Sequence, residues 1–143
     1  MQTKNGFTLL EMILVLGVVS ALLLLSTPVM VSLLENQKDE QFLTTFENDV
    51  LYMQSISYLS KDYIGIKIYS DNYTILEGHT NTILKRRAIP PGWSFDLRTL
   101  KELISFNQNG TIRQSGTIYL TTTNNSYKIV FPPGKGRCYI EKI

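Results

Sequence analysis

Glu11 is a lone carboxylate at the head of an apolar run. The segment Gly6-Phe7-Thr8-Leu9-Leu10-Glu11 opens a stretch with no further charge from Met12 to Leu34. On insertion scales such a carboxylate costs about 2.5–3.5 kcal/mol at a bilayer centre and less toward the edge. Two uses fit it: an ion pair with a cation of a neighbouring chain, or a side chain that snorkels back to the headgroups. A second charged cluster is Lys85-Arg86-Arg87, which with Lys135 and Arg137 supplies candidates for phosphate contacts. Against 14 Lys+Arg stand 12 Asp+Glu, a formal net charge of +2, so the chain lacks the strongly basic footprint of a dedicated nucleic-acid domain. Three basic residues in a strand equally suit a solvated edge that resists pairing with other chains.

Catalysis has little to build on. The chain has one histidine, His79, and one cysteine, Cys138, so no His/Cys metal cluster can be drawn. No nucleophile-elbow motif supports a Ser/His/Asp set. The run Gly134-Lys135-Gly136-Arg137 lacks the spacing of a phosphate-binding loop. The expectation is a protein that is not an enzyme and takes no cofactor or metal, with His79 in a solvent-exposed loop. A single cysteine cannot close an internal disulfide, so the domain must be held by its own core. Cys138 is then either a small buried residue or one half of a disulfide between chains.

The apolar run sets the first element. From Phe7 to Leu25 it would span about 28 Å as a helix, close to the thickness of a bilayer. That is longer than the roughly 7–15 apolar residues of a secretory signal, and no small-x-small cleavage site follows it. Pro28 lies just beyond, where it removes a backbone hydrogen bond and favours a kink. Ser26 and Thr27 can satisfy carbonyls freed there. Lys4 precedes the span and the mixed Glu35, Lys38, Asp39 and Glu40 follow it, a weak bias toward an inside N-terminus.

Further on, Leu43, Phe46, Val50, Met53 and Ser57 recur at spacings of three and four, broadened by Leu51, Tyr58 and Leu59. That is one face of an amphipathic helix. Asn36 to Gln41, Thr44, Thr45, Glu47, Asn48, Asp49 and Gln54 make its polar face. One long helix from near Phe7 to about Ser60, kinked at Pro28, is expected. The period then changes. Tyr63 to Tyr69 and Asn72 to Glu77 alternate around Ser70-Asp71, which reads as a β-hairpin. Further strands are expected at Thr82 to Ile89, Leu103 to Phe106, Gly116 to Thr122, Tyr127 to Phe131 and Arg137 to Ile143. Leu97 to Leu103 reads as a helical turn or a loop, and Trp93, beside Pro90-Pro91-Gly92, as a core plug. A helix followed by antiparallel strands is an α+β pattern.

The leader ending in Gly6, then Phe7, then Glu11 four residues on, an apolar helix and Pro28 together resemble type IV prepilins and pseudopilins. The later run Ile104-Ser105-Phe106-Asn107, Gly110, Gly116-Thr117-Ile118, Tyr127-Lys128-Ile129 and Gly136-Arg137 resembles the β-domain of GspH-type minor pseudopilins, in particular those of competence systems. The resemblance implies a pilin-like fold: leader 1–6, membrane and assembly half of the stem helix 7–30, amphipathic half 31–61, and a β-rich head 62–143. It implies cleavage between Gly6 and Phe7 by a membrane prepilin peptidase, N-methylation of Phe7 by the same enzyme, and pairing of Glu11 with a neighbour's N-terminal amine. Pro28 matches a proline that lets the stem bend. The implied partners are the peptidase/methylase, other competence pseudopilins, a polytopic platform protein and an assembly ATPase, with contact to DNA indirect. The implied location is the cell membrane, single-pass with the head outside, then the cell surface. The same machinery serving secretion or adhesion is the near alternative, and a passive membrane-anchored binding domain the distant one.

Overall fold

The computed structural model describes residues 8–60, 62–78, 81–100 and 103–143, with backbone only at 25–29. Helix α1 runs Leu9–Ser57, 49 residues, within which Pro28 falls. Eight strands follow: β1 Ile64–Ile68, β2 Asn72–Glu77, β3 Thr82–Ala88, β4 Ser94–Asp96, β5 Leu103–Phe106, β6 Gly116–Thr121, β7 Ser126–Phe131 and β8 Tyr139–Lys142. The chain divides into two compact units at Lys38/Asp39.

In the first unit, every described side chain from Leu9 to Leu24 is exposed. Among the described residues no helix is long and apolar enough to cross a membrane. Their apolar side chains span about 16 residues, ~24 Å at 1.5 Å per residue, against the roughly 20 residues a crossing needs. The span expected from Phe7 to Leu25 is thus not met by the described residues alone.

The second unit holds the core. Its sheets are four-stranded and antiparallel, ordered β3-β2-β1-β5 and β4-β6-β7-β8. The expected stripe is the face that α1 buries: Leu43, Phe46, Val50, Met53 and Ser57 are all buried. Removing a side chain such as Phe46 or Met53 from water contributes about 1.5–3 kcal/mol each. Phe46 meets Tyr73 of β2 edge-on, centroids 5.4 Å apart, and Phe95 of β4 at 5.8 Å. Ile64, Ile66 and Ile104 from the first sheet, and Ile118, Leu120, Ile129 and Phe131 from the second, complete the interior.

The β1–β2 hairpin forms around Ser70-Asp71 as the alternation requires, with Ile66 opposite Ile75. Three expectations need correction. Tyr58 and Leu59 lie past the helix end and are exposed, so they do not widen the stripe. Strand β8 begins at Tyr139 rather than Arg137. Strand β4 was not expected: it is three residues long, directly after Trp93, too short to show alternation. Trp93 is buried, and its ring packs 5.2 Å from that of Phe42. Leu97 to Leu100 is a turn closed by the Leu100 N–H on the Leu97 carbonyl.

The C-terminal turn of α1 is held by Gln54, whose side-chain amide donates to the Gly110 carbonyl at 3.3 Å. Gly110 has φ +67°, a left-handed conformation that a Cβ disfavours. An added Cβ there would also lie 2.3 Å from the Tyr58 ring.

Candidate functional site

At the start of α1, Thr8 is the helix cap. Its Oγ1 accepts the Glu11 backbone N–H at 3.3 Å, and its carbonyl accepts that of Met12 at 3.2 Å. Thr8-Leu9-Leu10-Glu11 has the spacing of a capping box, and an acid in the first turn also suits the positive end of the helix dipole. Glu11 is exposed there, on a helix whose following side chains from Met12 to Leu24 are exposed all round and apolar but for Ser20. A helix apolar all round is stable only where lipid or other helices cover it. Gly6 and Phe7 lie outside the described residues, as does His79, and so does the side chain of Pro28.

The structure does not keep Lys85-Arg86-Arg87 together as one patch. A β-bulge interrupts the β2–β3 register: Ile75 pairs with Lys85, but Leu76 pairs with Ile83, leaving Leu84 as the extra residue. Lys85 and Arg87 lie opposite Ile75 and Tyr73 and share their face toward α1, where both reach Asp49. Lys85 Nζ lies 2.8 Å from one carboxylate oxygen, and Arg87 Nε lies 3.1 Å from the other. The Tyr73 hydroxyl donates to that second oxygen at 2.9 Å. Asp49 is buried, 2% exposed, where the polar-face reading put it in solvent. Burial raises its pKa, but the hydrogen bonds from Arg87, Lys85 and Tyr73 together outweigh that and hold it below the ordinary carboxylate value. The Tyr73 phenol is pushed well up, by its burial first and then by the Asp49 charge. Arg86 alternates to the other face, opposite Thr74. Strand β3 is the edge of its sheet, as a basic edge should be.

A second aspartate, expected on the polar face, is also buried. Asp39, 3% exposed, accepts from Thr122 Oγ1 at 3.0 Å, Asn125 Nδ2 at 2.7 Å and Tyr127 Oη at 2.9 Å. Burial and the bond to Asp39 push the Tyr127 phenol up to about 12. Asp49 therefore ties α1 to the first sheet, and Asp39 ties it to the second. The signal was in the spacing: Asp39 lies four before Leu43 and Asp49 three after Phe46, both on the buried stripe.

Cys138 is buried just before β8, and its thiol is pushed up to about 12, chiefly by burial. It should resist a thiol-reactive dye in the folded protein, react fully in denaturant, and give no dimer on a non-reducing gel. Rapid labelling of the native protein would refute this. Among the described residues no group of three His, Cys, Asp or Glu is placed to hold a metal ion.

A long N-terminal helix, apolar at its start and packed from Asp39 onward on antiparallel sheets, is an α+β architecture consistent with a pilin-like protein. The chain is similar to the competence protein ComGD of Bacillus subtilis (strain 168), 28% identical over 139 residues, which is 97% of this chain and 94% of that protein. This end-to-end likeness supports a competence pseudopilin of the ComGD type. No family model matches the chain, and no solved structure does.

Proposed function

We propose that the chain is a structural minor subunit of a type IV pilus-like competence apparatus, needed for DNA uptake in natural transformation. It enters the membrane through the apolar start of α1 and is cut between Gly6 and Phe7, leaving an N-methylated Phe7. It joins or primes a short pseudopilus with other competence pseudopilins, driven by a platform protein and an assembly ATPase. The stem helix supplies packing between subunits, and the head supplies contacts particular to its place.

The observation that carries this reading is the exposed Glu11 in a capped first turn, at the head of a helix whose described side chains from Leu9 to Leu24 are exposed and almost all apolar. Once the leader is removed, the new amine of Phe7 is one turn before Glu11. In apolar surroundings a carboxylate and an amine are best used as a pair between neighbouring chains. The likeness to ComGD along nearly the whole chain supports the competence setting.

The test is Gly6→Val. Glycine lets the backbone lie close in a protease cleft, and a β-branched residue does not. In cells carrying the peptidase, the variant should persist as full-length precursor in the membrane, and transformation should fall to the level of a gene deletion. Mature-sized protein with normal transformation would defeat the assignment.

A further inference from the structure

Two asparagines of the chain precede a glycine, Asn5 and Asn109. Asn5 lies in the segment that the proposed cleavage removes, so Asn109-Gly110 is the step that the mature chain keeps. It closes the turn after β5: the Gly110 N–H donates to the Asn107 carbonyl at 2.9 Å, and the Asn107 N–H to the Thr111 carbonyl at 2.8 Å. Asn109 is exposed, and among the described residues its side-chain amide has no hydrogen-bond partner. Gly110, lacking Cβ, places no side chain between its own nitrogen and that amide. It is also hemmed in. The Tyr58 ring fills the space a Cβ would need, and the Gly110 carbonyl oxygen lies 2.5 Å from where a Cβ on Gly136 would stand. Residues 135–137 run alongside, with the Ile112 N–H on the Lys135 carbonyl at 3.4 Å. Arg113, Lys135 and Arg137 are exposed on these two segments, and none forms an ion pair with a described carboxylate.

We propose that Asn109 is a site of spontaneous deamidation, at which the head converts to a form with a loosened turn. The Gly110 backbone nitrogen attacks Asn109 Cγ. The new N–Cγ bond forms, the Cγ–Nδ2 bond breaks, and ammonia leaves with the proton from the Gly110 nitrogen. Water then opens the cyclic imide at either of its carbonyls. One opening restores the ordinary backbone with an aspartate side chain; the other routes the main chain through Cβ and Cγ and gives isoaspartate, with an extra carbon in the backbone. Cations beside the loop favour the negative charge that gathers on the attacking nitrogen and stays on the product carboxylate. The turn bond to Asn107 holds that nitrogen back, so the step proceeds from local openings of the turn. The extra carbon has nowhere to go. It displaces Gly110, whose carbonyl accepts from Gln54, and the isoaspartate form thereby loses the tie at the C-terminal turn of α1.

The experiment ages the full chain in neutral detergent and buffer and samples it by peptide mass mapping, with chromatography separating the two product isomers. Asn109 should convert before every other asparagine beyond the leader, and faster in urea, where the turn is gone. Gln54→Ala, which frees the Gly110 carbonyl, should raise the native rate severalfold. Asn109→Gln should give no product at this position and keep the wild-type urea midpoint. The purified isoaspartate form should unfold at lower urea than the wild type, whereas Asn109→Asp, which adds the charge without the extra carbon, should not. An Asn109 that stays intact while another asparagine of the head converts would overturn the site. An unchanged rate in Gln54→Ala would overturn the gating by the turn, and an isoaspartate form with the wild-type midpoint would overturn its loosening.

Discussion

Asp49→Ala should destabilise the head by about 2–4 kcal/mol, read as a fall in the urea midpoint of Trp93 fluorescence. The substitution strands the fully buried Tyr73 hydroxyl and takes away the shared acceptor of Lys85 and Arg87. Breaking a wholly buried pair costs about 3–5 kcal/mol, but these cations are 34% and 42% exposed and recover part of their hydration. The contrast is Asp96→Ala. Its pair with Arg98 is as short, 2.7 Å, but both side chains are more than half exposed, so the loss should stay under about 1 kcal/mol. Equal effects at the two positions would show that the Asp49 cluster is not a structural tie.

The pH dependence has a definite sign. Because the folded-state pKa of Asp49 lies below its ordinary 3.8, the unfolded chain takes up that proton first as the solution is acidified. The stabilisation is whole above the ordinary value and is lost as pH falls through the folded one. Asp49→Asn should therefore flatten the acid limb of the stability curve and leave the shape of the neutral region alone. An unchanged acid limb would place the titration elsewhere.

Glu11→Gln should leave insertion and leader cleavage intact while filament incorporation and transformation fall by roughly one to two orders of magnitude. A unit charge pair at 4 Å is worth about 1 kcal/mol in water and about 4 at an effective dielectric of 20. Glutamine keeps the size and much of the capping geometry but has no charge with which to draw in the neighbour's amine. The comparison to make is processed protein in the membrane against protein in sheared surface filaments. Full incorporation with full transformation would leave Glu11 only its helix-cap and headgroup roles.

How far the sequence could be read depended on what each pattern encodes. The stripe through Leu43, Phe46, Val50 and Met53 and the hairpin at Ser70-Asp71 were legible because burial alone sets their period. Asp39 and Asp49 were misread because residue type was weighed above position: a carboxylate on the buried face implies partners that come from strands far along the chain. The splitting of Lys85-Arg86-Arg87 follows from strand alternation alone and went unnoticed because the three were weighed as one charged run. Strand β4 has only the register of β6, Phe95 opposite Leu120, to define it. Glu11 was legible as a lone charge at the head of an apolar run.

The interleaved strand order also governs when this head can fold. The chain lays down β1 to β3 in the first sheet, crosses to the second for β4, returns for β5 and only then builds β6 to β8. Neither sheet is complete from one continuous stretch, and the Asp39–Tyr127 tie joins residues 88 apart. Such non-local pairing is slow to form because loop closure is paid for before the contacts repay it. Synthesis at about 5–20 residues per second leaves the helix and the early hairpins without their partners for several seconds. The last piece of the second sheet, Tyr139–Lys142 on β7, becomes available only when the chain is almost complete.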